Sequence, residues 1–304
     1  MKKVILLAGP TASGKSDLAI FLAKKINGEI INADSMQVFK EIKVLSARPE
    51  NYKKIKHYLY GFLSVKKNFS TGKWLKLAEK KIREILKRKK IPIIVGGTGL
   101  YFKALTDGIA KIPNISQAKR NKIIHTFNRI GKEKFYKKLI QLDPKCKNKM
   151  IENDKQRMIR FYEVKYYTKK SIFDWQKVTK NNLKNIEFIK IFLNLPREFL
   201  LGKIDKRFRK MLLNGAEQEA NKFKNLKISS KLTANHVLGL KELILYIDGK
   251  LTLKEAFNQA IIKTRQYIKR QMTWFRGQMT DWKDFDDIKN LKLRKKVLNF
   301  IRTS

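Results

Sequence analysis

Apolar positions in the first third of the chain fall into short unbroken runs separated by helically spaced stretches. "VILLA" at 4–8 and "IPIIVGG" at 91–97 are strand-length and apolar, as expected of strands covered on both faces, and "GEIINAD" at 28–34 gives a second strand ending in an acidic residue. Between them, Gly14 to Ile26 places Leu18, Leu22 and Ala23 on one helical face. "WLKLAEKKIREILKRKK" at 74–90 turns Leu77, Ile82 and Ile85 inward beneath a basic outer face. This alternation predicts an α/β core: a central parallel sheet with helices on both sides.

From Pro113 to about residue 185 the pattern becomes helical, polar and Lys-rich, and "IEFIKIFLNL" at 186–195 reads as a returning strand. The organisation expected is a core of residues 1–112 and 186–304 interrupted by a mainly helical insertion, 113–185. After the returning strand the pattern is helical over 197–214, around 216–225, over 235–248 and over about 252–277. In the last of these Ile261, Ile268, Met272 and Phe275 form a stripe. Trp274 beside it is expected in the core.

The loop between the first strand and first helix changes the picture. Gly9-Pro10-Thr11-Ala12-Ser13-Gly14-Lys15-Ser16 satisfies G-x-x-x-x-G-K-[ST] in a strand–loop–helix setting, which predicts a P-loop NTPase-like fold. Its glycines let backbone N–H groups turn towards phosphate oxygens, and the helix N-terminus adds its positive end. Lys15 supplies a point charge, and the Ser16 hydroxyl suits a Mg²⁺ shell. The motif announces phosphate without saying which.

An ordinary ATPase fits less well. The strand at 91–97 ends in glycines and Thr98, with no acid. The nearest strand-end carboxylate is Asp34 in "NADSMQVF". It could ligate a metal through water, accept a proton from a nucleophile, or simply cap a helix after Ser35.

Charge is the outlier of the composition. Lys plus Arg number 70 against 26 acidic residues, a formal net charge of +44. That suits a polyanionic partner such as nucleic acid, although a Lys-biased surface without a partner would give the same total. One cysteine, Cys146, excludes an intrachain disulfide framework and a cysteine-built zinc site. No apolar run reaches bilayer length, and "MKKVILLAG" lacks the length and cleavage site of a signal peptide. A cytoplasmic protein without membrane contact is expected, acting as a monomer.

Taken in order, several segments resemble the tRNA dimethylallyltransferases: "GPTASGKS" at 9–16, "ADSMQVF" at 33–39, "GGTGLYFKAL" at 96–105, "NDKQRMIRFYEV" at 153–164, "KIDKRFRKMLLNG" at 203–215 and "TRQYIKRQMTWFR" at 264–276. The resemblance runs along nearly the whole chain. It implies transfer of a dimethylallyl group from dimethylallyl diphosphate to the exocyclic amine of the adenosine 3′-adjacent to the anticodon. Pyrophosphate is released, with Mg²⁺ as cofactor and the tRNA anticodon stem-loop as partner. The loop 9–16 and Arg207 would hold the diphosphate. Asp34, Lys15 and Thr98 would be catalytic, with Asp34 the general base.

Asp34, Ser35, Met36, Gln37 and Thr98 would meet the target base, flipped from its stack. Arg120 and the run Gln156, Arg157, Met158, Ile159 and Arg160 would contact tRNA. Arg265, Lys269 and Arg276 on the last long helix suit its phosphates. Plainer readings stand beside these: Thr98 as a helix cap, Arg157 and Arg160 as a solvated basic face, Arg207 as an ion-pair partner. Phe39 and Leu240 stand where the family usually has Tyr, and Lys203 where it has Arg. A small-molecule P-loop kinase is the alternative, with no use for the basic insertion or the Arg-rich helix.

Overall fold

The computed structural model describes residues 2–49, 55–149, 154–179, 181–183 and 185–304, so the first residue of the 153–164 motif lies outside the described residues. The chain divides into two compact units, Met1–Thr106 with Leu183–Ser304, and Asp107–Asn182. The second thus begins at Asp107 rather than Pro113.

In the first unit the elements begin β1 (Lys2–Ala8), α1 (Lys15–Lys25), β2 (Gly28–Asn32), β3 (His57–Tyr58), α2 (Thr71–Lys87), β4 (Ile91–Gly96) and α3 (Gly99–Thr106). The second unit holds α4 (Gln117–Ile130), α5 (Lys132–Leu142), α6 (Lys155–Thr168) and α7 (Ile172–Gln176). The chain then returns through β5 (Ile186–Leu193), α8 (Arg197–Leu213), α9 (Ala216–Asn225), α10 (Leu240–Ile247), α11 (Leu253–Gln278), β6 (Lys283–Phe285) and α12 (Asn290–Thr303).

Six strands pair in the order β3-β2-β4-β1-β5-β6, all parallel. Val4 to Ala8 of the central strand are wholly buried. Val4, Leu6 and Ala8 join Trp74, Ile82 and Phe102 on one sheet face; Ile5 and Leu7 join Leu18, Leu22 and Val297 on the other. Alternation along a strand covered on both sides is what makes its sequence read as one apolar run. A third core forms away from the sheet, where Phe39, Ile42 and Leu45 pack on α8, α9, α10 and α11.

Element ends differ from expectation by a few residues. α2 begins three residues early because the Ser70 hydroxyl accepts the Lys73 N–H and caps it. The helix expected over 235–248 is a 3-10 turn at Thr233–His236 followed by α10. No helix follows Ser35; the chain there turns irregularly. The second unit has its own core of Ile123, Phe127, Phe135, Leu139, Met158, Ile159 and Tyr162. Among the described residues, no helix is long and apolar enough to cross a membrane.

Candidate active site

The phosphate loop lies where parallel-sheet proteins bind ligands, at the carboxyl end of β1. Ala12 (φ 68°) and Gly14 (φ 81°) both take left-handed backbone, which wraps the loop around its own centre. Lys15 Nζ donates to the Pro10 carbonyl at 3.0 Å, closing the loop on itself. Burial pushes the Lys15 ammonium down to about 8; the Asp34 charge opposes this and Arg207 adds to it. The three groups therefore share one electrostatic site. Arg207 is likewise lowered by burial and supported by Asp34.

Asp34 is held by its neighbours rather than by a helix. The buried Asn32 accepts the Asp34 N–H at 2.8 Å and donates to the carbonyls of Asp34 (2.9 Å) and Leu59 (3.0 Å). Trp74 Nε1 donates to the Asn32 carbonyl at 2.8 Å, with its ring stacked on Tyr101 at 4.3 Å. One Asp34 carboxylate oxygen accepts the Met36 N–H at 2.9 Å, a short Asx turn, so the helix-cap reading of Asp34 does not hold. Burial raises the phenols of Tyr60, Tyr101 and Tyr267, and the Asp34 charge raises them further, so all three stay protonated around it.

Thr98 does not cap α3. Its hydroxyl oxygen accepts the Ser35 N–H at 3.0 Å and lies 3.3 Å from the Ser35 hydroxyl, while its own N–H donates to the Ala33 carbonyl. The glycines around it are demanded by close approach. A Cβ on Gly96 would lie 2.0 Å from the Ala33 carbonyl oxygen, on Gly97 2.3 Å from Gln271, and on Gly99 2.0 Å from the Trp274 ring. Trp274 thus packs against the core, as expected.

Two openings flank this centre. One, about 1060 Å³, is lined by Gly14, Lys15, Ser16, Arg48, Lys203 and Arg207. The other, about 460 Å³, is lined by Asp34, Met36, Phe208, His236, Lys241 and Tyr267. Arg207 and Met211 line both. A cationic cleft against the phosphate loop and a mixed cavity against the carboxylate suit an anionic donor and a flat polar acceptor meeting between them.

The wall at residues 43–49 is held by Glu219 of α9, whose carboxylate accepts the N–H groups of Lys43, Val44 and Leu45 at 2.6 to 2.8 Å. Gln37 donates to the carbonyls of Ser46 and Ala47, so its amide nitrogen braces the same wall. Arg48 donates to the Phe39 carbonyl. Phe39 and Leu240 are buried in the third core, and Lys203 lies over the Phe199 ring at 4.1 Å.

Among the described residues no group of three or more His, Cys, Asp or Glu could hold a metal. Ser16, half-buried at the first turn of α1, offers one hard oxygen. That donor set fits a hard cation completed by diphosphate oxygens and water, not a protein-built cage.

Arg265, Lys269 and Arg276 are exposed on α11, and Arg276 reaches Asn194 at 3.4 Å. In the second unit, Arg120 and Arg160 converge on the buried carboxylate of Glu163 at 3.7 and 2.6 Å. Gln156 and Arg157 are exposed, with Arg157 paired to Asp154. Met158 and Ile159 correct the expectation: they are 0% and 5% exposed within that unit's core, so their side chains face inward and offer RNA no surface.

Residues 37–278 match the family described as IPP transferase. The chain belongs to that family. A tRNA dimethylallyltransferase of Pelagibacter ubique is 52% identical over 94% of this chain and 92% of its own, and one from Rickettsia massiliae is 47% identical over 92% and 78%. Among solved structures, the tRNA isopentenylpyrophosphate transferase of Bacillus halodurans is 29% identical with a TM-score of 0.71, covering 100% of this chain and 96% of that one. A eukaryotic dimethylallyltransferase acting on tRNA superposes with a TM-score of 0.79 at 28% identity, over 96% and 75%. The parallel sheet with its phosphate loop is thus the P-loop NTPase-like fold that the IPP transferases share.

Asn32, Glu163, Glu219, Lys241 and Gln271 were not singled out by sequence reasoning. Gln271 had a visible signal: it falls three residues after Ile268 and four before Phe275, on the inward stripe of α11.

Proposed function

We infer that this IPP transferase family member is a tRNA dimethylallyltransferase. It moves the dimethylallyl group of dimethylallyl diphosphate to the exocyclic amine of the adenosine 3′-adjacent to the anticodon and releases pyrophosphate. The observation that carries the reading is the joint placement of a phosphate cradle and a carboxylate. Lys15, Arg207 and Asp34 act on one another electrostatically, while β4 ends in Gly96 and is followed by Gly97, with no acid for water activation.

Adenine's exocyclic amine is a weak nucleophile because its lone pair is shared with the ring. In the proposed step its nitrogen bonds to C1 of the dimethylallyl group as the C1–O bond breaks, and the bond's electron pair leaves on the diphosphate. Asp34 takes the proton the new ammonium sheds. The carboxylate oxygen not engaged by Met36 is oriented for this, because Asn32 and Thr98 fix the backbone on either side.

Lys15, Arg207 and the loop amides within 9–16 stabilise the charge gathering on the leaving diphosphate, apart from Pro10, which has no N–H, and Thr11, whose N–H donates to Gln271. Mg²⁺, when bound, would add Lewis-acid neutralisation of the same oxygens, and Ser16 is the residue that would hold it. Thr98, Ser35 and Met36 shape the wall against which the flipped base rests. Arg120, Gln156, Arg157, Arg160, Arg265, Lys269 and Arg276 engage the anticodon stem-loop through its phosphates.

The test is incubation with unmodified tRNA and labelled dimethylallyl diphosphate, with no ATP. Label on tRNA, at the adenosine next to the anticodon, is the expected result. Phosphorylation of a small molecule from ATP, without prenyl transfer, would overturn the reading in favour of a kinase.

A further inference from the structure

Gln271 is 6% exposed, and its side chain joins two loops that lie far apart in the sequence. Its carbonyl oxygen accepts the Thr11 N–H of the phosphate loop at 2.9 Å, and its amide nitrogen donates to the Gly97 carbonyl at 2.8 Å. Gly97 has no side chain where one would strike that amide. The next residue, Thr98, accepts the Ser35 N–H, and Ser35 follows Asp34. One side chain therefore links the diphosphate cradle to the segment carrying the base.

The bond to Thr11 has a second effect. It occupies that N–H, so the phosphate cradle is formed by other amides and keeps those donors without Gln271. The amide governs separation and angle between two loops rather than the capacity of either. A buried amide bonded at both ends has one low-energy placement, and its loss lets each loop relax independently.

We propose that Gln271 is the positioning residue that sets the distance between the diphosphate held by the phosphate loop and the Asp34 carboxylate. It touches neither substrate. The proposal rests on the transfer reaction inferred above. In-line displacement depends steeply on the approach of the reacting atoms, so loosening this tie lowers turnover more than it lowers diphosphate binding.

The test compares the full-length protein with Gln271→Leu and Gln271→Glu, in steady-state transfer to tRNA and in calorimetric binding of pyrophosphate alone. Gln271→Leu removes both hydrogen bonds; kcat should fall by about tenfold or more while the pyrophosphate Kd stays within about threefold. Gln271→Glu keeps the acceptor for Thr11 and restores the donor to Gly97 only when its carboxyl is protonated. Burial at this position raises a carboxyl above its usual value of about 4.3, so the variant's kcat relative to the unaltered protein should climb as pH falls from about 8 to about 5.

Unchanged kcat in a folded Gln271→Leu protein overturns the proposal, as does equal loss of pyrophosphate binding and turnover. If that variant does not fold, the Gln271→Glu ratio decides, and a ratio flat with pH overturns it. An unaltered protein that binds pyrophosphate but prenylates no tRNA sinks the transferase reading itself, and this proposal with it.

Discussion

Thr98, two residues past the end of β4, accepts the backbone N–H of Ser35 at 3.0 Å, so the segments that follow two neighbouring strands are tied beyond the sheet. The bond holds the segment that carries Asp34 without touching its carboxylate.

Thr98→Ala removes that acceptor and frees the 34–36 turn on one side. Transfer to tRNA should fall by about tenfold or more, while Thr98→Ser, which keeps the hydroxyl, should retain most of it. Matched thermal melts would show that the change is in the site and not in the fold.

Lys15 is predicted to make pyrophosphate binding pH-dependent. Its ammonium is pushed down to about 8, chiefly by burial, and only the protonated form attracts the anion. A bound diphosphate favours the charged form, so binding takes up a proton above that value. The Lys15 contribution to affinity should be flat below about pH 8 and weaken above it, by up to about tenfold per pH unit. In the ligand-free protein the sign reverses: the unfolded chain holds more protons between about 8 and 10.5, so this group's contribution to stability improves as pH rises through that window. Calorimetry from neutral to alkaline pH checks the first, and denaturant titration without ligand checks the second. Lys15→Arg, which does not titrate there, should lose the slope.

Glu219 supports the cleft wall by accepting three consecutive N–H groups. Glu219→Ala should cost about 1.5–3 kcal/mol in urea denaturation, the range for hydrogen bonds to a charged group. Because Lys43, Val44, Ala47 and Arg48 line the cleft, it should also weaken pyrophosphate binding. Glu219→Gln, left with one carbonyl acceptor, should lie between.

The Arg120–Glu163–Arg160 cluster predicts a salt-dependent RNA effect. Arg120→Ala or Arg160→Ala should reduce the slope of log affinity against log salt by about one if each neutralises one phosphate. Glu163→Gln keeps both guanidinium groups but loosens their common anchor, so affinity should fall with a smaller change in slope. Filter binding of tRNA over a salt series distinguishes either arginine variant from Glu163→Gln.

The central strands were legible because burial on both faces writes them as unbroken apolar runs, and the phosphate loop because its conformation demands particular residues. β3 has two residues and β6 three, so neither can show a period, and both follow from neighbouring strand edges rather than local preference. α12 was missed although Leu293, Val297 and Ile301 repeat every four residues on its buried face. In the site, residues identified by chemical type, such as Asp34 and Lys15, stood out in the sequence. Residues that act by reaching across the fold did not. Glu163 and Glu219 looked like two more charges on polar helices, since what a carboxylate grips is decided by packing.

The three glycines around Thr98 have unequal freedom to change over evolutionary time. At Gly97 and Gly99 the nearest obstacle is a side chain, so a lineage could enlarge Gly99 if Trp274 shrank in step, and Gly97 if Gln271 did and the Gly9 carbonyl, 3.3 Å from the added carbon, gave slightly. At Gly96 the obstacle is the main chain of Ala33, which every amino acid carries alike. No second-site substitution can make room there, and descendants of this chain can leave that glycine only by respacing two adjacent strands of the sheet.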